Sequence, residues 1–350
     1  MKTIKKILFL LLLLGTGFCI QQEITIEEAA TLLSKDTLSG SIASDKTQQL
    51  LNTAKREIQT FLNRHLTLDS WYKLQQHLPF CEWAGYTPVT ETDDYYSKNI
   101  YVLDRTTMRI MAVQASAERV PPASLTKLMT CLVAMENLDD LDESVTIQPE
   151  LHHQMMLAGA SFAGFSSNEH VTVRDLLYAT MLASGAEAAN SLALHISGSI
   201  PEFVELMNAR AQSLGLKNTA FKNPEGLDTE GQYTTAEDIA KLLDYALENP
   251  LFCELLSTKI YKTSTTPQHP QGIRLVSTVL GNLTELEQDG FKIMGGKSGT
   301  TSQAGQCWAI WARKKQHEYI IVLLGAELND IKHPDLKQKQ DALKILQSLN

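Results

Sequence analysis

Cysteine is scarce in this chain: five among 350 residues, at positions 19, 81, 131, 253 and 307. No Cys-x-x-Cys pair and no zinc-finger spacing occurs, which excludes a small fold stapled by disulfides. One bridge is compatible with so few thiols, but the sequence does not identify its partners. Cys131 lies inside an apolar helical pattern and reads as a buried thiol. Positive charge is also in deficit, with 31 Lys and Arg against 40 Asp and Glu and a net charge of −9. No Lys/Arg-rich run is interleaved with aromatics, so a nucleic-acid partner is not expected. Histidines are few and scattered, and the adjacent His152 and His153 do not share a helix face, so they read as solvated residues rather than metal ligands. No internal repeat occurs. At 43% hydrophobic and 20% charged residues, the bulk of the chain is globular rather than disordered, collagen-like or coiled coil.

The one long apolar run is at the start. Lys2, Lys5 and Lys6 precede the run Ile7 to Leu14, and Gly15 and Gly17 follow, the pattern of an export signal over residues 1–20. Uncleaved, it would be a membrane tether. Phe18 before Cys19 is bulky for a lipoprotein site. No other run of that kind follows, so the expected location is extracytoplasmic, secreted or associated with the cell envelope.

Residues 21–92 read as a helical N-terminal extension. Leu50, Leu51, Ala54, Ile58, Phe61 and Leu62 recur at helical spacing, and Ser70 to Leu78 starts with a capping serine. The stretch from Thr87-Pro88 to Asp93-Asp94 is polar and turn-rich, and residues 93–350 have a different texture. Asn99 to Leu103 and Arg109 to Gln114 are β-rich runs about a turn. Helical patterns follow over Ser124–Glu136, Val173–Leu182, Ala186–Ile196, Glu202–Leu214 and Ala236–Glu248. Strands return at Phe291–Lys297, Cys307–Ala312 and Glu318–Leu324, before an amphipathic helix over Asp335–Leu349. Strands at both ends with helices between them predict a mixed α/β fold: one antiparallel sheet flanked by helices, with an all-helical lobe inserted.

Three short strings carry the chemistry. In Pro121-Pro122-Ala123-Ser124-Leu125-Thr126-Lys127 the prolines lead into a helix, and Ser124 and Lys127 share one face at i, i+3. A serine hydroxyl needs a base to become a nucleophile. A lysine in a desolvated pocket beside other cations is neutral enough to serve, and a helix N-terminus supplies N–H groups for an oxyanion. Taken alone, the pair reads equally as a capping serine and a solvated lysine. In the string Ser184-Gly185-Ala186, Ser184 sits at a turn between two helices, placed to relay a proton to a leaving amine or merely to cap the second helix. In Gly295-Gly296-Lys297-Ser298-Gly299-Thr300, Gly299 allows close approach to a substrate and Lys297 supplies fixed positive charge. Ser298 and Thr300 offer hydroxyls to a carboxylate. The plain alternative is a basic hairpin edge.

Together, in this order and on these elements, the three strings resemble the penicillin-interacting serine peptidases and β-lactamases. The nearer resemblance is to the low-molecular-mass D-alanyl-D-alanine carboxypeptidases. It runs from about Asn99 to Leu328 and includes strings with no evident catalytic purpose: Val171 to Tyr178, Phe221-Lys222-Asn223-Pro224-Glu225-Gly226-Leu227-Asp228, and Tyr233 to Ala240. The resemblance implies Ser124 as nucleophile, Lys127 as general base, Ser184 as the serine of a Ser-x-Asn element and Lys297 as the lysine of a Lys-Thr-Gly strand. Ser298 stands in the Thr position. The oxyanion hole would be the N–H groups of Ser124 and Thr300. The implied reaction is acyl transfer on the D-Ala-D-Ala end of a peptidoglycan stem peptide, without a cofactor, and β-lactams would acylate Ser124.

Two departures stand out. Position 186 is Ala where the family has the Asn that orients the lysine and the substrate carbonyl, and Asn190 matches a different family position. The C-terminal β-domain and membrane-binding helix frequent in the family are also missing after the last strand. The loss at Ala186 leaves open a catalytically weak penicillin or cell-wall binding protein, and a DD-endopeptidase is compatible with the same strings. A β-lactamase would need a deacylating carboxylate in a Glu-x-x-Leu-Asn context. Glu202, Glu205 and Glu225 lack that context.

Overall fold

The computed structural model describes residues 95–284, 288–331 and 333–349. The export signal and the helical extension read at 1–20 and 21–92 lie outside them. Residues 87–106 and 110–350 form one unit; the second, 1–86 with 107–109, is described only at 107–109.

Strands β1 (Asn99–Asp104) and β2 (Arg109–Gln114) open the described chain, and β7 (Lys292–Thr301), β8 (Gly305–Lys314) and β9 (His317–Ala326) close the sheet in the order β2-β1-β9-β8-β7. First and last strands are neighbours: β1 pairs antiparallel with β9, Ile100 opposite Leu323 and Val102 opposite Ile321. On β8, Trp308 and Ile310 continue those two rows. Helix α8 (Lys337–Ser348) lays Ala342, Ile345 and Leu346 on this face. Helix α6 (Ala236–Ala246) packs on β9 and β1, and none of its residues joins that cluster, so it covers the other face. A strand covered on both faces loses its alternation, and Ile320 to Leu324 are all 0% exposed. Burying each such aliphatic side chain is worth about 1.5–3 kcal/mol.

Between β2 and β7 lie α1 (Thr126–Asn137), the β3–β4 pair (Ser144–Thr146, His170–Thr172), α2 (Pro149–Leu157), α3 (Val173–Leu182), α4 (Ala186–Ser197) and α5 (Ile200–Ser213). After α6 come α7 (Pro250–Ser257) and the β5–β6 pair (Ile260–Lys262, Arg274–Val276). Helix α1 is the pivot, packed by α3, α4, α5 and α6, and every residue from Thr126 to Ala134 is buried. Four of these helices start on side-chain caps: Thr172 accepts from Asp175 N, Ser199 from Glu202 N, Thr235 from Asp238 N and Asn249 from Leu251 N and Phe252 N. The mixed α/β architecture with its helical lobe matches the sequence expectation.

Three differences have physical causes. The short pairs β3–β4 and β5–β6 and the helices α2 and α7 were not legible; α2 buries no residue, so it carries no apolar period. The third string does not follow a strand ending at Lys297. It lies within β7, which runs on to Thr301, because its glycines fit a strand that other backbone touches. A methyl group at Gly295 would sit 2.3 Å from the Leu256 carbonyl oxygen. Ser124 belongs to a 3₁₀ turn, Ala123–Leu125, and the α-helix proper begins at Thr126.

Candidate active site

The segment ahead of α1 is held by a bridge in which Val120 N donates to Thr234 O at 2.8 Å and Thr234 N to Val120 O at 2.9 Å. Pro121 and Pro122 follow, and the turn places Ala123 at φ +49°, a left-handed conformation for a non-glycine residue. Two glycines wrap this turn. A methyl at Gly226, whose φ is +88°, would fall 2.0 Å from Ala123 O, and one at Gly299 would fall 2.9 Å from Ser124 N. The loop after α5 and the strand β7 therefore meet on the backbone of Ser124.

Ser124 is partly exposed, whereas Lys127 one turn on is 2% exposed. Lys127 Nζ lies 3.1 Å from Ser124 Oγ and donates to the Glu225 carbonyl oxygen at 2.5 Å. Burial lowers the Lys127 amine from 10.5 to about 8, against the opposing pull of the Glu225 and Glu187 carboxylates. The amine is thus uncharged in about a tenth of molecules at pH 7 and in more as pH rises, the form a base for the serine hydroxyl requires. The solvated-lysine alternative is excluded.

Ser184 occupies the turn between α3 and α4 at φ +61°. Lys297 Nζ donates to Ser184 Oγ at 2.9 Å and to Ser298 O at 2.9 Å. Lys297 is 0% exposed, so the basic hairpin edge is excluded as well. The sequence led to an expectation of fixed positive charge at Lys297. Burial, reinforced by nearby Lys127, instead holds its amine well below its ordinary basicity. Ser298 and Thr300 are partly exposed on β7, while Gly299 between them is buried against the turn. Ser298 Oγ donates to Thr278 Oγ1 at 2.7 Å, which orients the hydroxyl. The structure thus gathers Ser124, Lys127, Ser184, Lys297, Ser298, Gly299 and Thr300 on one crevice, with both amines and Ser184 buried and the hydroxyls of Ser124, Ser298 and Thr300 on partly exposed residues.

The strings without catalytic purpose are its supports. Thr130 Oγ1 donates to Pro224 O at 2.6 Å, fixing the loop on α1, and Gly226 N donates to Asn223 Oδ1 at 2.7 Å, bracing the loop itself. Asp228 accepts from Thr301 Oγ1 at 2.7 Å, tying that loop to the end of β7. Asp175 on α3 accepts from Tyr261 O–H at 2.8 Å. Sequence reasoning weighed Glu225 and Asn190 and set both aside, and it passed over Glu187. Glu225 is 5% exposed, Glu187 1% and Asn190 2%, yet each stands in a string whose spacing gives no sign of burial. Ala186 is fully buried at the start of α4 and offers only a methyl group there. Glu202 sits in the first turn of α5, bonded to the capping Ser199, and has no part in the crevice.

Cys131, Cys253 and Cys307 are free thiols, and burial pushes that of Cys131 up to about 12. Among the described residues no group of His, Cys, Asp and Glu is arranged to hold a metal ion, and no helix is long and apolar enough to cross a membrane.

Comparison with known proteins agrees with this geometry. The chain is 33% identical over 230 residues to D-alanyl-D-alanine carboxypeptidase DacF of Bacillus subtilis, a match covering 66% of this chain and 57% of the relative's length. It is 30% identical over 232 residues to a D-alanyl-D-alanine endopeptidase of Pseudomonas aeruginosa, covering 66% and 71% respectively. The crystal structure of a Streptomyces DD-transpeptidase superposes with a TM-score of 0.63 at 28% identity, over 74% of this chain and 98% of that one. The sequence model of the D-alanyl-D-alanine carboxypeptidase family matches residues 87–328, and the protein belongs to that family.

Proposed function

We propose that the protein is a serine-type D-Ala-D-Ala carboxypeptidase acting on peptidoglycan stem peptides through an acyl-enzyme on Ser124. The observation that carries this reading is the 3.1 Å separation of Ser124 Oγ from the buried Lys127 amine. Lys127 takes the hydroxyl proton as Oγ attacks the carbonyl of the penultimate D-Ala. The oxyanion is received by the N–H groups of Ser124 and Thr300, and one such donor is worth about 10²–10³ in rate. Ser184 passes a proton to the departing D-Ala amine, and water then hydrolyses the ester. Ser298 and Thr300, above Lys297, hold the terminal carboxylate. Such chemistry needs no cofactor. β-Lactams, which mimic the D-Ala-D-Ala end, acylate the same hydroxyl. Because the substrate lies outside the cytoplasm, the protein works there.

A second reading has an observation behind it: the buried methyl of Ala186 in place of an amide favours a protein that binds penicillin but releases product slowly. Incubation with diacetyl-Lys-D-Ala-D-Ala separates the two. Release of D-Ala by the wild type and none by Ser124→Ala supports the carboxypeptidase, and fluorescent-penicillin labelling without release supports the binding protein. Unlabelled wild-type protein would remove both.

A further inference from the structure

Three buried polar side chains have no part in the chemistry just described: Glu225, Asn190 and Glu187. Glu225 belongs to the loop pinned on α1 by Thr130 at Pro224 O and by Lys127 at Glu225 O, and braced internally by Gly226 N donating to Asn223 Oδ1. Its main chain accepts the Lys127 amine, and its side chain turns into the protein, where Oε2 accepts from Asn190 Nδ2 at 3.0 Å. Asn190 lies on α4 one turn beyond Ala186. It donates to the Ala186 carbonyl oxygen at 2.9 Å, so its amide is fixed to its own helix as well as to Glu225.

Lys127 is faced by four ionisable groups: Glu225 from the loop, Glu187 from the start of α4, Cys131 from its own helix and Lys297 from β7. The Cys131 thiol stays neutral, and Lys297, whose amine burial holds well below its ordinary basicity, offers no negative charge to an ammonium. Glu187 is anchored elsewhere through Oε1, which accepts from Ala163 N at 2.7 Å and Gly164 N at 3.0 Å, while its Oε2 is buried without a hydrogen-bond partner. Of the two carboxylates, Glu225 acts more strongly on the Lys127 amine. When the proton leaves Ser124 Oγ for Lys127 Nζ, the Oγ electron pair forms the new bond to carbon. A full positive charge then appears in a place almost closed to water. Such a charge is costly unless a partner is already there.

We propose that Glu225 is a positioning residue for the acyl transfer: its carboxylate, held by Asn190, is the counter-charge to the ammonium that Lys127 becomes on taking the Ser124 proton. Glu225 itself neither gains nor loses a proton in the step. The family's orienting amide at position 186 is absent here, and the Asn190 amide that holds Glu225 is bonded to the Ala186 carbonyl oxygen. The inference rests on the reading of Ser124 and Lys127 as nucleophile and base.

The test is the rate of fluorescent-penicillin acylation as a function of pH, for the full chain and for Glu225→Gln, Glu225→Asp and Asn190→Ala, each checked for its melting temperature. Removing a negative neighbour weakens the amine as a base. Glu225→Gln should therefore move the acid limb of the wild-type profile to lower pH by about one unit, with a plateau at least about tenfold lower. Glu225→Asp should restore the limb. Asn190→Ala, which leaves the carboxylate without its donor, should move the limb the same way by less, and it decides the matter if Glu225→Gln does not fold. A plateau loss with an unmoved limb in Glu225→Gln would reduce Glu225 to a packing role and overturn the proposal, as would an unmoved limb in Asn190→Ala. Failure of the wild type to label at all is a different result, since it removes the acyl-transfer reading along with the inference built on it.

Discussion

Lys297 Nζ donates a 2.9 Å hydrogen bond to Ser184 Oγ across 113 positions of sequence, joining strand β7 to the turn between α3 and α4. The two walls of the crevice are therefore linked through the groups assigned to proton relay and carboxylate binding. Replacing Ser184 by Ala leaves a buried amine with only the Ser298 carbonyl. D-Ala release should fall by about 10²–10⁴-fold, and stability by about 1–3 kcal/mol. Steady-state turnover and denaturant unfolding measure the two. A variant that keeps wild-type turnover would take the relay role from Ser184.

The base must be uncharged to act. Since the Lys127 amine is held near pH 8, acylation of Ser124 by a penicillin should rise as pH rises through about 8 and level off above it. Lys127→Ala should abolish labelling. Lys127→Arg should not rescue it, because a guanidinium stays charged throughout that range. Stopped-flow labelling gives the profile, and a flat one would exclude Lys127 as base.

Gly226 supports the nucleophile turn without touching substrate. Gly226→Ala sets a methyl 2.0 Å from Ala123 O at a φ of +88°, so it combines overpacking with left-handed strain. The expected loss is about 2–4 kcal/mol, accompanied by loss of penicillin labelling, because the turn must shift. A thermal melt with wild-type midpoint would show that the loop relaxes freely.

The carboxylate-holding role proposed for Ser298 and Thr300 predicts a distinction between free-acid and amidated substrates. Peptides ending in a free carboxylate should be cleaved well and their amides poorly, and Ser298→Ala should narrow the gap mainly through KM. Thr278→Val, which removes the partner of the Ser298 hydroxyl, should act in the same direction with a smaller effect. Equal cleavage of acid and amide would show that those hydroxyls hold something else.

Much of the sheet and most helices were legible because burial imposes a period or an unbroken apolar run. Val173–Leu182 was placed to the residue, since Thr172 caps its start and a turn ends it. Strand β7 was cut short because glycine is a poor strand former in isolation. Only the neighbouring backbone at Leu256 and Ser124 explains why glycine is required there. The two surface pairs β3–β4 and β5–β6, three residues to a strand, are too short to show any period.

The chain by itself determined which side chains can do chemistry and in what order they come. A serine and a lysine three positions apart at a helix start must share a face whatever surrounds them. It left undecided whether those lysines are solvated cations or buried bases, because desolvation depends on packing from segments about a hundred residues away. The tertiary structure settled that by closing α1 under the 223–226 loop and β7, and in doing so it brought two carboxylates, Glu187 and Glu225, to the Lys127 amine. No spacing announces such an encounter, since the residues that meet are joined by folding rather than by sequence.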